Sequence, residues 1–133
     1  MQKKYRLKSS RVFNYLHKRG KTSANKWLVL VYAPSKYPIK VGFIVSKKVG
    51  KAVVRNKVRR RLREIFRALI PYLEQNCNYI IISRAQCTES SFSQLANAVA
   101  TALLKANLII KQIDEEAMAK LSLDRKLFEK TSL

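Results

Sequence analysis

Apolar residues recur along this chain in two periods, and the change from one to the other marks out its elements. Residues 1–8 form a basic arm with no apolar run and no cap. Val12, Phe13 and Leu16 then repeat at helical spacing behind Ser9 and Ser10, both suitable N-caps, and Gly20 stands where that short helix would stop. Trp27-Leu-Val-Leu-Val-Tyr32 is a β-branched apolar run bounded by Pro34 and Pro38, which predicts a strand. Residues 39–46 place Val41, Phe43 and Val45 on one face, a second strand and the expected hairpin partner of the first. Gly50 interrupts the pattern.

A long helix is predicted from Ala52 to Leu73. At about 100° per residue, Val54, Val58, Leu62, Ile65 and Leu69 fall within an arc of roughly 80°. Tyr79-Ile-Ile-Ile-Ser83 is apolar throughout, as expected of a central strand buried on both faces. Ser90 or Ser91 opens a last core helix through Leu95, Val99, Leu103 and Leu104. This mixed order, helix–strands–helix–strand–helix, predicts a small α+β two-layer sandwich with the helices on one side of the sheet. A single core domain is expected over residues 1–106. Residues 107–133 read as an extension, partly helical over Asp114–Leu121 and otherwise polar or disordered. Neither internal repeats nor low-complexity segments interrupt the pattern.

Charge changes the picture. Of the 28 Lys and Arg in the 133 residues, 20 lie in the first 63, where there is no Asp or Glu at all; the first carboxylate is Glu64. The formal net charge is +20, and all of it belongs to that half. Such self-repulsion implies a polyanion that normally neutralises it, and counterion release from phosphates supplies the binding energy. Hydrophobic content of 47% rules out a disordered basic tail. No apolar run approaches the roughly 20 residues of a membrane span, and the basic start is not followed by a signal-type apolar stretch. A cytoplasmic protein without a membrane partner is therefore expected. Two cysteines, Cys77 and Cys87, and one His are too few for a disulfide scaffold or the usual structural zinc site.

The charge is densest in Lys47-Lys-Val-Gly-Lys-Ala-Val-Val-Arg-Asn-Lys-Val-Arg-Arg-Arg-Leu-Arg63. Arg55, Arg59, Arg63 and Arg67 follow one another at four-residue steps, with Arg60 alongside and Asn56 within the ridge. Like charges one turn apart destabilise a free helix, and a solvated face would intersperse Glu. Arginine's planar fork grips phosphate oxygens and stacks on exposed bases. Arg61 projects to the margin of the apolar stripe and is expected to reach outward.

From Val49-Gly-Lys to Arg63, and upstream through Val41-Gly-Phe-Ile-Val-Ser-Lys-Lys48 with Phe13 and Gly20, the chain resembles the bacterial ribonuclease P protein subunit over roughly residues 5–106. The resemblance implies a left-handed β-α-β crossover of the kind found in a ribosomal-protein domain. It also implies a role: an endoribonuclease ribonucleoprotein that removes the 5′ leader of precursor tRNA, in which RNA performs the cleavage and holds the Mg2+. The implied partners are the catalytic RNA, bound 1:1, and the precursor's 5′ leader. By the same resemblance, the RNA-facing residues are Lys47, Lys48, Lys51, Arg55, Asn56, Lys57, Arg59, Arg60 and Arg63. The leader cleft is expected at Phe13, His17, Val29 and Val31; family members often carry an aromatic at the position of His17 and a tyrosine at that of Val31.

The residues themselves argue against protein chemistry. The basic half has no carboxylate, the single His17 has no acidic neighbour in sequence, and Asp114, Glu115 and Glu116 look like a helix N-terminal turn. The alternative is a structural RNA-binding protein of ribosomal type; a DNA-binding protein would show a helix-turn-helix or dimer seam.

Overall fold

Strands β1 (Lys21–Ala24), β2 (Leu28–Pro34), β3 (Lys40–Val45) and β4 (Cys77–Ser83) form a single sheet in the order β1-β2-β4-β3. The coordinates are a computed structural model describing residues 2–129. β2 lies antiparallel to both β1 and β4, while β3 pairs with β4 in parallel. The predicted hairpin between the second and third strands is therefore not formed. The Pro34–Pro38 segment leads the chain past β4 to its far side, and both neighbours of β2 are taken by β1 and β4. β4, apolar from Tyr79 to Ile82, gains most from being covered on both faces and paired on both edges, and it holds the central place expected of it.

Helix α1 (Ser10–Arg19) begins at Ser9, whose side chain accepts a bond from the Val12 amide, and ends at Gly20. Helix α2 (Ala52–Leu69) forms the crossover between the parallel strands β3 and β4. It stops short of Leu73 because Pro71 cannot donate to the carbonyl one turn back; the chain continues as a 3-10 turn, Ile70–Tyr72. Helix α3 (Phe92–Lys105) carries a capping box in which Ser91 and Gln94 exchange bonds with each other's backbone amides. The α+β sandwich is thus as expected. Its helices do not all share one side, however.

Alternation along β2 explains why. Leu28 and Leu30 point into the larger core with Val58, Leu62, Ile65, Phe66, Tyr79 and Ile81, under α2 and α3. Val29, Val31 and Ala33 point the other way, where Leu7, Leu16 and Ile80 close a second, smaller cluster under α1. The chain after α3 also joins the larger core: Leu108, Ile109, Ile113, Met118, Leu121 and Leu123 are all buried there. Helix α4 (Glu115–Leu121) starts at Asp114, which accepts from the Ala117 amide (2.9 Å) and the Tyr72 hydroxyl (2.8 Å). A buried leucine such as Leu121 contributes about 1.5–3 kcal/mol. The last four residues of the predicted extension lie outside the described residues.

Candidate nucleic-acid interface

α2 is two-sided because its apolar stripe is narrow. Val58, Leu62, Ile65 and Leu69 are buried, and turning away from that stripe at about 100° per residue brings Arg55, Arg59 and Arg63 along one flank. All three are half-buried. Arg63 has its guanidinium pulled below the ordinary arginine value, first by burial and then by the charges of Arg6 and Arg59. The N-terminal arm thus places Arg6 beside the ridge; Arg6 bridges to Val41 and Leu7 bonds to the Val41 carbonyl (2.9 Å), which ties the arm along β3. Arg6 was not foreseen, since nothing in the arm's own sequence says that it runs beside β3.

Asn56 and Arg60 sit on the outermost side of the helix, both exposed. Asn56 accepts a bond from Arg59 Nη1 at 3.0 Å, which fixes the guanidinium plane. Arg55 Nε is buried with no hydrogen-bond partner, a donor left without an acceptor at a cost of about 1–3 kcal/mol. Lys57 stands apart from this flank. It lines the hollow on the other side of α2 with Arg61 and Thr88. Arg61 does not reach outward to solvent as expected: its Nη1 donates to the Ser90 carbonyl at 3.2 Å, locking α2 to the turn before α3.

Ahead of α2, Lys47 and Lys48 lie in a 3-10 turn and Lys51 is the N-cap residue, all exposed. Gly50, at φ +149°, makes the turn between them in a conformation that side chains disfavour. The first turn of α2 has no acidic residue and no side-chain cap, so its amides and three lysines offer positive potential, and none of these lysines forms an ion pair with a described residue. Among the described residues, the ion pair found is Arg125–Glu115, far from this face in sequence and on the opposite, neutral half.

The second candidate region lies on the α1 side of the sheet. α1 covers only part of that face. Cross-strand register aligns Ala24, Val29, Ile82 and Ile44 in one row, and this row stays open: Ala24 is exposed, Val29 and Ile82 are half-buried, and Ile44 is 38% exposed. Phe13 borders it, half-buried, with His17 one turn further along α1 and exposed. Val31 belongs instead to the covered row: it is 6% exposed and packs under the C-terminal end of α1, where a Cβ on Gly20 would approach it to 2.6 Å. Tyr32 faces the other core, as strand alternation requires. The open row ends at Ile44, three residues before Lys47, so the groove runs toward the lysines that precede α2.

Among the described residues, no three or more His, Cys, Asp or Glu side chains come together as a metal site would need. Cys77 and Cys87 are buried, and burial pushes both thiols above their ordinary value, away from reactivity.

Known proteins resemble this sequence and share this fold. The family model described as Ribonuclease P matches residues 1–107. A ribonuclease P protein component of Caldanaerobacter subterraneus subsp. tengcongensis is 36% identical over 108 residues, 80% of this chain and 93% of the relative. One from Chloroflexus aurantiacus is 33% identical over 124 residues, covering 92% and 91%. Among solved structures, the Staphylococcus aureus RNase P protein superposes with a TM-score of 0.74 at 30% identity, covering 79% of this chain and 97% of that one. The Thermotoga maritima RNase P protein gives 0.69 at 27% identity, covering 75% and 96%. With the family model matching most of its length and these relatives aligned over nearly all of theirs, this chain belongs to the bacterial ribonuclease P protein family.

Proposed function

We propose that this chain is the protein subunit of a ribonuclease P ribonucleoprotein, which removes the 5′ leader from precursor tRNA. The observation that carries the reading is the division of labour around β3. One face of that strand supports α2 and its unneutralised arginines; the other supports Phe13 and the open row ending at Ile44. The α2 flank (Arg55, Asn56, Arg59, Arg60 and Arg63) with Lys47, Lys48 and Lys51 binds the catalytic RNA. Lys57 contributes charge from the opposite flank of the helix.

The groove takes the unpaired leader. Phe13 offers a ring, Val29, Ile82 and Ile44 an apolar floor, and exposed His17 a second planar group above it. With Val31 covered by α1, stacking falls to the helix side of the groove rather than to the strand. The chemistry belongs to the RNA. The adjacent carboxylates Asp114, Glu115 and Glu116 open helix α4, with Asp114 capping the Ala117 amide and Glu115 paired to Arg125, so in this reading Mg2+ belongs to the RNA. The protein's part is electrostatic: it offsets phosphate repulsion between catalytic RNA and precursor, in a 1:1 complex in the cytoplasm.

Sequencing the RNA that co-purifies with the protein from cells tests this reading. One abundant RNA of ribonuclease P type is expected; ribosomal RNA in its place would mean a structural role in the ribosome.

A further inference from the structure

The side of α1 that faces away from the sheet plays no part in the reading above. Val12, Phe13 and Leu16 turn inward, which puts Arg11, Tyr15, Lys18 and Arg19 together on the outer side, around a shallow hollow that also includes Asn14. Tyr15 is 57% exposed, among the most exposed large apolar side chains of the molecule. None of the three cations is in an ion pair among the described residues.

Stability of the helix does not account for this face. Lys18 and Arg19 suit the last turn, where the helix dipole is negative, but Arg11 lies in the first turn against the dipole's positive end, where no acid accompanies it. An exposed tyrosine adds neither helix propensity nor core packing. Arg11, Tyr15 and Arg19 nevertheless follow one another at four-residue steps, so the ring stands between two guanidinium groups along one line of the helix. That is an aromatic platform with a positive charge at each end, the arrangement that stacks an unpaired base and holds the phosphates on either side of it.

We propose that the outer face of α1 is a second contact for single-stranded RNA, distinct from the groove on its inner side. The proposal rests on the ribonuclease P reading for the identity of the RNA. The occupant is the distal part of a long 5′ leader, which passes over α1 after leaving the groove that the same helix borders on its inner side; an unpaired segment of the catalytic RNA is the competing occupant.

Two binding measurements separate them, using Tyr15→Ala, Tyr15→Phe and Arg11→Gln. The first is the affinity of the protein for catalytic RNA alone. The second is the affinity of the assembled ribonucleoprotein for precursor tRNA with a short leader, confined to the groove, and with a long one. Tyr15→Ala is expected to weaken binding of the long-leader precursor by about five-fold or more, while Tyr15→Phe, which keeps the ring, stays close to the parent. Arg11→Gln should make the salt dependence of the same arm shallower by about 0.7 for one single-strand phosphate. A loss confined to the long leader is the expected result; a loss against catalytic RNA alone would make that RNA the occupant and overturn the assignment to the leader. Unchanged affinity in both arms for Tyr15→Ala and Arg11→Gln overturns the proposal. Phe13→Ala in the same assay keeps the two readings apart: if it weakens leader binding while Tyr15→Ala is silent, the outer contact falls and the groove stands.

Discussion

The ring of Phe13 rests against the bare backbone of Gly42: a Cβ at residue 42 would lie 2.5 Å from Phe13 Cζ and 2.9 Å from Cε1. A helix residue and a strand residue 29 positions apart are thus fitted to each other, and the fit holds the ring at the border of the open apolar row. Gly42 is needed here for space, since its backbone is ordinary β-strand.

Gly42→Ala is accordingly expected to push Phe13 off its seat. Thermal melting should show a loss of about 1–3 kcal/mol from overpacking. Affinity for precursor tRNA with a leader should fall while mature tRNA is bound as before. Unchanged leader affinity would mean that the position of the ring does not matter.

Phe13→Ala removes the ring itself. Because Phe13 is only half-buried, the stability loss should be smaller than the roughly 3–5 kcal/mol of a fully buried phenylalanine. Leader-bearing precursor should again be weakened selectively, by about 1–3 kcal/mol for the missing stack. A larger stability loss with equal weakening of precursor and mature tRNA would make Phe13 a core residue alone.

The arginine flank makes a salt-dependence prediction. Arg55→Gln combined with Arg60→Gln should lower affinity for catalytic RNA at low magnesium. In filter binding over a salt series, the slope should become shallower by about 0.9 for each duplex phosphate that the variant no longer neutralises. An unaltered slope would mean that this flank does not face phosphate.

Asp114 provides a pH test of the segment that follows α3. Its carboxyl is held below the ordinary 3.8, first by the Ala117 amide and then by the Tyr72 hydroxyl. A depressed folded-state value means the cap stabilises fully above the ordinary value and is lost as pH falls through the lower one. The melting temperature of the parent should therefore exceed that of Asp114→Ala at neutral pH, and the gap should close in acid below 3.8. A gap that persists unchanged in strong acid would contradict the assignment.

Much of this was legible in the sequence where one period dominates. The α2 stripe, the Ser9 and Ser91 caps and the doubly buried β4 follow from spacing and residue type. β1 was missed because Lys21-Thr-Ser-Ala24 is short and polar; Ser23 is buried, but its hydroxyl bonds the Ala102 carbonyl (2.7 Å), a partner remote in sequence. The partner of β3 was misjudged because alternation tells which face is buried and not which strand lies alongside. The unbroken apolar run over β2 did carry a clue that both its faces are covered, hence that α1 lies opposite α2 and α3. Leu108, Ile109, Ile113, Met118 and Leu121 follow no single period, since the chain there passes from turn to bridge to short helix. At the site, residue type and helical phase exposed the arginine flank. Arg6 beside Arg63, Arg61 tied to Ser90 and Val31 beneath α1 depend on tertiary neighbours, which no local pattern encodes.

In the proposed ribonucleoprotein, RNA performs the cleavage and this protein makes it efficient by supplying positive charge and a hold on the leader. Single-turnover cleavage of precursor tRNA by catalytic RNA alone, by nuclease-treated protein alone and by both together, over a magnesium titration, tests it most directly. Protein alone should cleave nothing, and the rate advantage of the complex should be largest at low magnesium and shrink as magnesium rises. Cleavage at the mature 5′ end by nuclease-treated protein, or equal rates with and without protein at every magnesium concentration, would contradict it.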